Sequence, residues 1–192
     1  MSDEAVHNFS VLPIIDPYVE NGTCSEMKLT LASDEDVDRL EEVLRIKLPA
    51  GYREFVTLLG QGEYCNFIRV DLPGTIEKEW KNRQEFLNEY FWWEMGEEVL
   101  NKEKIIESIE IASTIDGDVI IFHPSNSERL YVLPRNDDML YEIGSNLYEA
   151  IDWLCVSHNK ETGYVGETHE RRYFVPYNPL QDDHGILKPE GY

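Results

Sequence analysis

The stretch "GYREFVTLLGQGEY", Gly51 to Tyr64, places two glycines one residue apart directly after an apolar run. Such a pair can cradle a phosphate or end a helix, and the choice separates a nucleotide-binding fold from other architectures. Phosphate-binding glycines lie between a strand and the start of a helix, where free amide hydrogens and the positive end of the dipole meet the anion. Here the order is reversed. Tyr52, Phe55, Val56 and Leu59 recur at helical spacing, so "PAGYREFVTLL" is predicted as a short helix packed on a core, with Pro49 in its first turn. Gly60 then takes the left-handed conformation that stops the helix, Gly62 turns the chain, and "YCNFIRVDLP" reads as a strand. No Lys-Ser or Lys-Thr follows either glycine, and the nucleotide reading is set aside.

Upstream, "SDEDVDRLEEVLRIKLP" offers Ser33 as N-cap and Asp36 three residues later, followed by Val37, Leu40, Val43 and Leu44 at helical spacing. Residues 1–32 show no period and read as an N-terminal arm or an edge strand. Downstream, residues 76–100 are dense in aromatics and compatible with a helix, but Trp92 and Trp93 are adjacent and cannot share one helical face. One is expected in the core; the other meets a loop, a partner or solvent. The bland reading of this segment is a satellite core under a long connection.

From Ser108 the period shortens. "SIEIAST", "DVIIFH", "RLYVLP" and "MLYEI" are separated by the turn-forming "IDGD", "PSNSE" and "RNDD", which predicts an antiparallel meander with a tight turn at Asp116-Gly117. "VIIF" and "LYVL" are apolar on both faces, so helices are expected over one side of the sheet and partial cover over the other, leaving room for a groove. "SNLYEAIDWLCVSHN" predicts a closing helix with Ser145 or Asn146 as N-cap. Residues 159–192 read as an irregular extension over the domain, with one extended piece near "RRYFVPY".

At 192 residues the chain can bury one substantial core, and one domain is the expectation. Seventeen basic side chains against 38 acidic ones give a net charge of -21, which repels nucleic acid and anionic membranes and speeds encounter with a basic protein. Solubility alone would also account for an acidic surface. The three cysteines, Cys24, Cys65 and Cys155, show no CxxC spacing, and "MSDEAVHNFS" carries acids where a secretory signal needs bases. A reducing, cytoplasmic location is therefore expected.

No catalytic set stands out. "HERRY" lacks the second histidine of HExxH, and convergence of His169, Glu170, Asp182, Asp183 and His184 would depend on how the tail folds, so no metal or cofactor is assigned. Adjacent acids such as Asp116 with Asp118, Asp137 with Asp138 and Glu97 with Glu98 are unsurprising where 38 of 192 residues are acidic, and most fall in predicted turns. No GxSxG elbow or electropositive cysteine is evident, so no catalytic residue is assigned.

The run "LEEVLRIKLPAGYREFVTLLGQGEY" resembles the SUKH superfamily, which includes fungal cell-wall synthesis regulators and many bacterial immunity proteins. Leu40, Glu41 and Leu44 match its first helix, Leu48-Pro49 its Leu-Pro step, and Tyr52, Phe55 and Gly60 its second helix and stop. "DGDVIIFHPSNSERLYVLP" is similar to its Gly-Asp-strand hairpin and "IGSNLYEAIDWLC" to its closing helix. The resemblance implies an α+β domain over residues 33–158, a curved, mainly antiparallel sheet with helices packed against it, and no enzymatic activity. Residues 76–100 then stand out as an aromatic-rich insertion. For bacterial members the resemblance implies neutralisation of a toxin, commonly a nuclease; for fungal ones, a regulatory scaffold. Contact residues do not transfer. From the expected groove and turn edge, Glu63, Tyr64, Asp71, Trp92, Asp116 and Asp118 are the candidate partner-binding residues.

Overall fold

A computed structural model describes residues 9, 12–14, 29–156, 164 and 172–177. Its first helix, α1 (Asp34–Leu44), begins with the reciprocal cap expected from the sequence: Ser33 Oγ accepts from Asp36 N at 3.2 Å, and Asp36 Oδ2 accepts from Ser33 N at 3.0 Å. Val37 and Leu40 face the core, but Val43 is exposed, so the buried stripe is narrower than the apolar spacing suggested. The second helix, α2 (Tyr52–Leu58), starts later than expected. Pro49 lies outside it, and Gly51, at φ 84°, is the N-cap. Tyr148 explains that glycine, because a Cβ there would stand 2.7 Å from its ring. At the other end Gly60 does stop the helix: its N–H donates to Phe55 O, its φ is 73°, and its backbone passes directly beside Thr30.

The piece read as one strand is a hairpin. The first strand, β1 (Gly62–Tyr64), pairs antiparallel with β2 (Ile68–Val70), and Cys65 and Asn66 between them both have positive φ, 56° and 52°. Phe67 N donates to Tyr64 O at 3.0 Å and closes the turn. Cysteine is not a usual residue for such a turn, which is why the break was not legible. A long helix, α3 (Pro73–Glu89), follows with proline at its start. After a short 3-10 turn over Glu94–Gly96 comes α4 (Lys102–Glu107), capped by Asn101, a helix that the sequence reading missed.

The meander has the expected segments: β3 (Ile109–Thr114), β4 (Val119–His123), β5 (Asn126–Leu133) and β6 (Tyr141–Gly144). The closing helix α5 (Leu147–Val156) follows, with Asn146 Oδ1 accepting from Glu149 N. A last strand, β7 (Phe174–Pro176), pairs with β1, and Ile14 makes an isolated bridge to Phe174. Together these form one open, antiparallel sheet of seven strands in the order β6-β5-β4-β3-β2-β1-β7, and the architecture is α+β.

Cross-strand register sorts the side chains onto two faces. Phe122 opposite Leu130, Ile120 opposite Val132 and Tyr64 opposite Phe174 look toward α1, α2 and α5, where Leu40, Phe55, Ile151 and Leu154 complete the main core. Ile121 opposite Tyr131 and Val119 opposite Leu133 look the other way. There the aromatic segment covers them, with Leu87, Trp93, Leu100 and Ile105 forming a second, smaller core. The cover of the sheet's second face thus comes from residues 87–105, whereas Ile76, at the start of the aromatic segment, belongs to the main core.

Candidate functional site

The cover over the second face is incomplete. Toward β1 and β2 it thins, and Glu63, Arg69 and Ser113 project from the sheet partly or fully exposed. Arg69 Nε donates to Glu63 Oε1 at 2.9 Å, so this strip carries an internal ion pair rather than a bare acid. Where the strip meets α3, Arg83 reaches down from the helix, 2.8 Å from Asp71 Oδ2 and 3.5 Å from Glu110 Oε2. One guanidinium thus serves two carboxylates. Burial pushes Glu110 up to about 7, the Asp71 charge adds to the rise, and Arg83 opposes it without cancelling it.

A folded-state value raised above the ordinary 4.5 means that the native chain holds a proton the unfolded chain has lost, so stability falls as pH rises through 4.5 to about 7. Glu110→Gln removes that contribution. Between pH 5 and 8 the urea-derived stability of the variant is expected to fall by about 2 kcal/mol less than that of the parent. Parallel pH profiles would contradict the assignment.

Two of the candidate residues are corrected by their placement. Tyr64 was expected at an exposed edge but is 5% exposed, packed among Phe9, Phe55 and Phe174, because Gly62 through Tyr64 is an inner strand once β7 has paired outside it. Asp118 was expected in an exposed turn but is 7% exposed: its carboxylate accepts from Arg135 N at 2.9 Å and from the Tyr164 hydroxyl at 2.8 Å. It fastens Tyr164 and the strand end to the tight turn, and burial with this carboxylate raises the Tyr164 hydroxyl well above its ordinary range. Charge reversal at Asp118 therefore reports on folding, whereas the exposed Asp116 beside it is open to solvent.

Trp92 and Trp93 divide as the sequence required. Trp93 is buried, and its Nε1 donates to Pro134 O at 2.8 Å. Trp92 is half-buried, with its ring 4.1 Å from that of Trp93 and edge-on to Phe86 at 6.5 Å. Because Trp93 holds Pro134 while Arg135 holds Asp118, the aromatic segment and the Asp116 turn meet at one end of the sheet. The structure does not gather Glu63 and Asp71 with Trp92 and Asp116: the first two belong to the ion-paired strip, the last two to this end.

The sequence reading missed the exposed apolar side chains of the same segment. Phe86, Tyr90, Met95 and Val99 are 50%, 52%, 62% and 43% exposed. No local signal marks them as exposed: Phe86 and Tyr90 stand at i, i+4 as core residues do, and Leu87 takes the buried position. Elsewhere the surface is acidic because acids outnumber bases, 38 to 17, and carboxylates remain after Arg39, Arg53, Arg69, Arg83, Arg129 and Arg172 have each taken one.

Hydrogen bonding to the Cys155 thiol, aided by Tyr173 and Arg172, holds Cys65 down to about 7 against the effect of burial. Both thiols are buried, so neither presents a nucleophile to a substrate. His123 bonds Ser125 and Glu107. Among the described residues no group of three His, Cys, Asp or Glu is placed to hold a metal ion, and no helix is long and apolar enough to cross a membrane. Cys24, His169, Glu170, Asp182, Asp183 and His184 lie outside the described residues.

Against known families, the model of the SMI1 / KNR4 family (SUKH-1) matches residues 31–165, which spans α1 through α5. Compared with curated proteins, the chain matches none.

Proposed function

The chain belongs to the SMI1 / KNR4 family (SUKH-1), whose domains are protein-interaction modules, and from that premise we propose that it is an immunity protein. In this reading it acts in the bacterial cytosol, binds a cognate basic toxin of the nuclease type, and blocks it by occupation rather than by chemistry. The observation that carries the reading is the acidic excess: 38 acidic against 17 basic side chains, a net charge of -21. A nuclease domain must be basic where it holds phosphate, and an acidic protein competes for that surface by the same long-range attraction.

The test is the product of the neighbouring gene. Expressed alone in a sensitive host it is expected to arrest growth; expressed with this chain it is expected to be tolerated and to copurify in a stable complex. A neighbour that is not toxic, or whose toxicity this chain leaves untouched, removes the immunity reading. Recovery of several unrelated signalling proteins in place of one partner would favour the regulatory scaffold known from fungal members.

A further inference from the structure

The segment at residues 85–99 combines two properties that rarely share a surface. Phe86, Tyr90 and Met95 are half or more exposed. The Phe86 ring lies 5.1 Å from that of Tyr90 and 6.5 Å from that of Trp92, so the rings form one continuous platform rather than scattered contacts. Contiguous exposed apolar surface of this kind marks an interaction site more often than an idle face. The same segment carries Glu85, Glu89, Glu94, Glu97 and Glu98, all exposed, with no lysine or arginine between residues 84 and 101. Among the described residues none of these five glutamates makes an ion pair with a basic side chain, in contrast to the strip at Glu63 and Asp71.

We infer that this aromatic platform is where a basic protein partner docks, with an arginine-bearing segment laid across Phe86 and Tyr90 and its guanidinium groups paired to the surrounding glutamates. The inference rests on the proposed basic partner and names the part of the surface that receives it. Arginine fits both halves of the site: its planar cation stacks on a ring face, and its fork of N–H groups matches a carboxylate. The chain already makes such a contact internally, since Lys102 Nζ stands 4.7 Å from the centre of the Phe91 ring in the same segment. A second copy of this chain is a poor occupant. It would bring the same five glutamates against these five, and like charges brought together at an interface oppose association. An anionic lipid surface is opposed for the same reason.

A nine-residue oligo-arginine peptide is a sufficient probe for the full chain. Its affinity is measured at low and moderate salt by titration, with amide chemical shifts recorded alongside. The parent is expected to bind, with the largest shifts at Phe86, Tyr90 and Trp92. Phe86→Ser/Tyr90→Ser is expected to weaken binding at least about fivefold, from two lost ring contacts. Both side chains are about half exposed, and a native circular dichroism spectrum confirms that the variant folds. Undiminished affinity in the variant, with the parent binding, overturns the platform and leaves the basic-partner reading standing. No binding to the parent at low salt overturns both. Self-association of the parent that the variant abolishes makes the patch a homodimer contact and overturns the proposal as well.

Discussion

Trp93→Ala is expected to cost about 4 kcal/mol of folding stability, the largest loss from any single truncation in the second core. Trp93 is 1% exposed and is the largest of the fully buried side chains. It packs in a cluster with Leu87, Leu100, Ile105, Ile121, Tyr131, Leu133 and Leu140, which closes the sheet's second face. Three losses combine on truncation. The indole's transfer free energy goes, a cavity opens that the flanking strands can only partly collapse, and Pro134 O loses the N–H that it accepts from. Against a typical total of about 5–15 kcal/mol, this removes a large share of the stability. Trp92→Ala, at the half-buried neighbour, is expected to cost far less. Urea unfolding followed by far-ultraviolet circular dichroism separates the two. Equal and small losses would mean that the aromatic segment does not pack on Ile121 and Leu133 as described.

The second large effect is at the glycine that ends α2. Gly60→Ala is expected to destabilise by about 3 kcal/mol, from two sources of comparable size. At φ 73° an alanine Cβ is strained against its own backbone. That Cβ would also stand 2.1 Å from Thr30 O, a backbone atom held in place by the hydrogen bond it accepts from Gln61 N. Neither neighbour can yield without moving the chain that leads into α1. Gly74 is the control, because nothing lies within 4 Å of a Cβ there. Gly74→Ala sits near the start of α3 and is expected to be neutral or slightly stabilising. Equal effects at the two positions, read from urea midpoints, would show that the helix stop is not built on Gly60.

Local rules carried the sequence reading far where one residue type has one physical use. Ser33 with Asp36 three residues on fits a cap, and Gly60 after an apolar helical stripe is placed to stop it; both do so. The meander was legible because "VIIF" and "LYVL" are apolar at every position, which asks for helices over one face and partial cover over the other, and at these two strands each face packs into a core. The hairpin at Cys65-Asn66 was not legible, since a cysteine with positive φ follows no turn preference. The helix Lys102–Glu107 is too short, at six residues, for a period to emerge. At the candidate site the failures share a cause. Exposure of Tyr64 and Asp118 depended on what lies outside β1 and above the Asp116 turn, and the answer, β7 and Tyr164, comes from about 45 to 110 residues further along the chain. Conversely Phe86 and Tyr90 look like core residues by composition, and only their placement beside Leu87, which takes the buried position, leaves them facing water.

On the proposed reading this protein works by offering an acidic face to a basic macromolecule. Its most direct test is the association rate constant with the neighbouring gene's toxic product, measured from about 20 to 200 mM salt across the range in which screening shortens from roughly 20 to 7 Å. Association is expected to be fast and to slow by an order of magnitude or more over that series. A rate that stays flat as salt rises, or a partner whose contact surface is itself acidic, would contradict it.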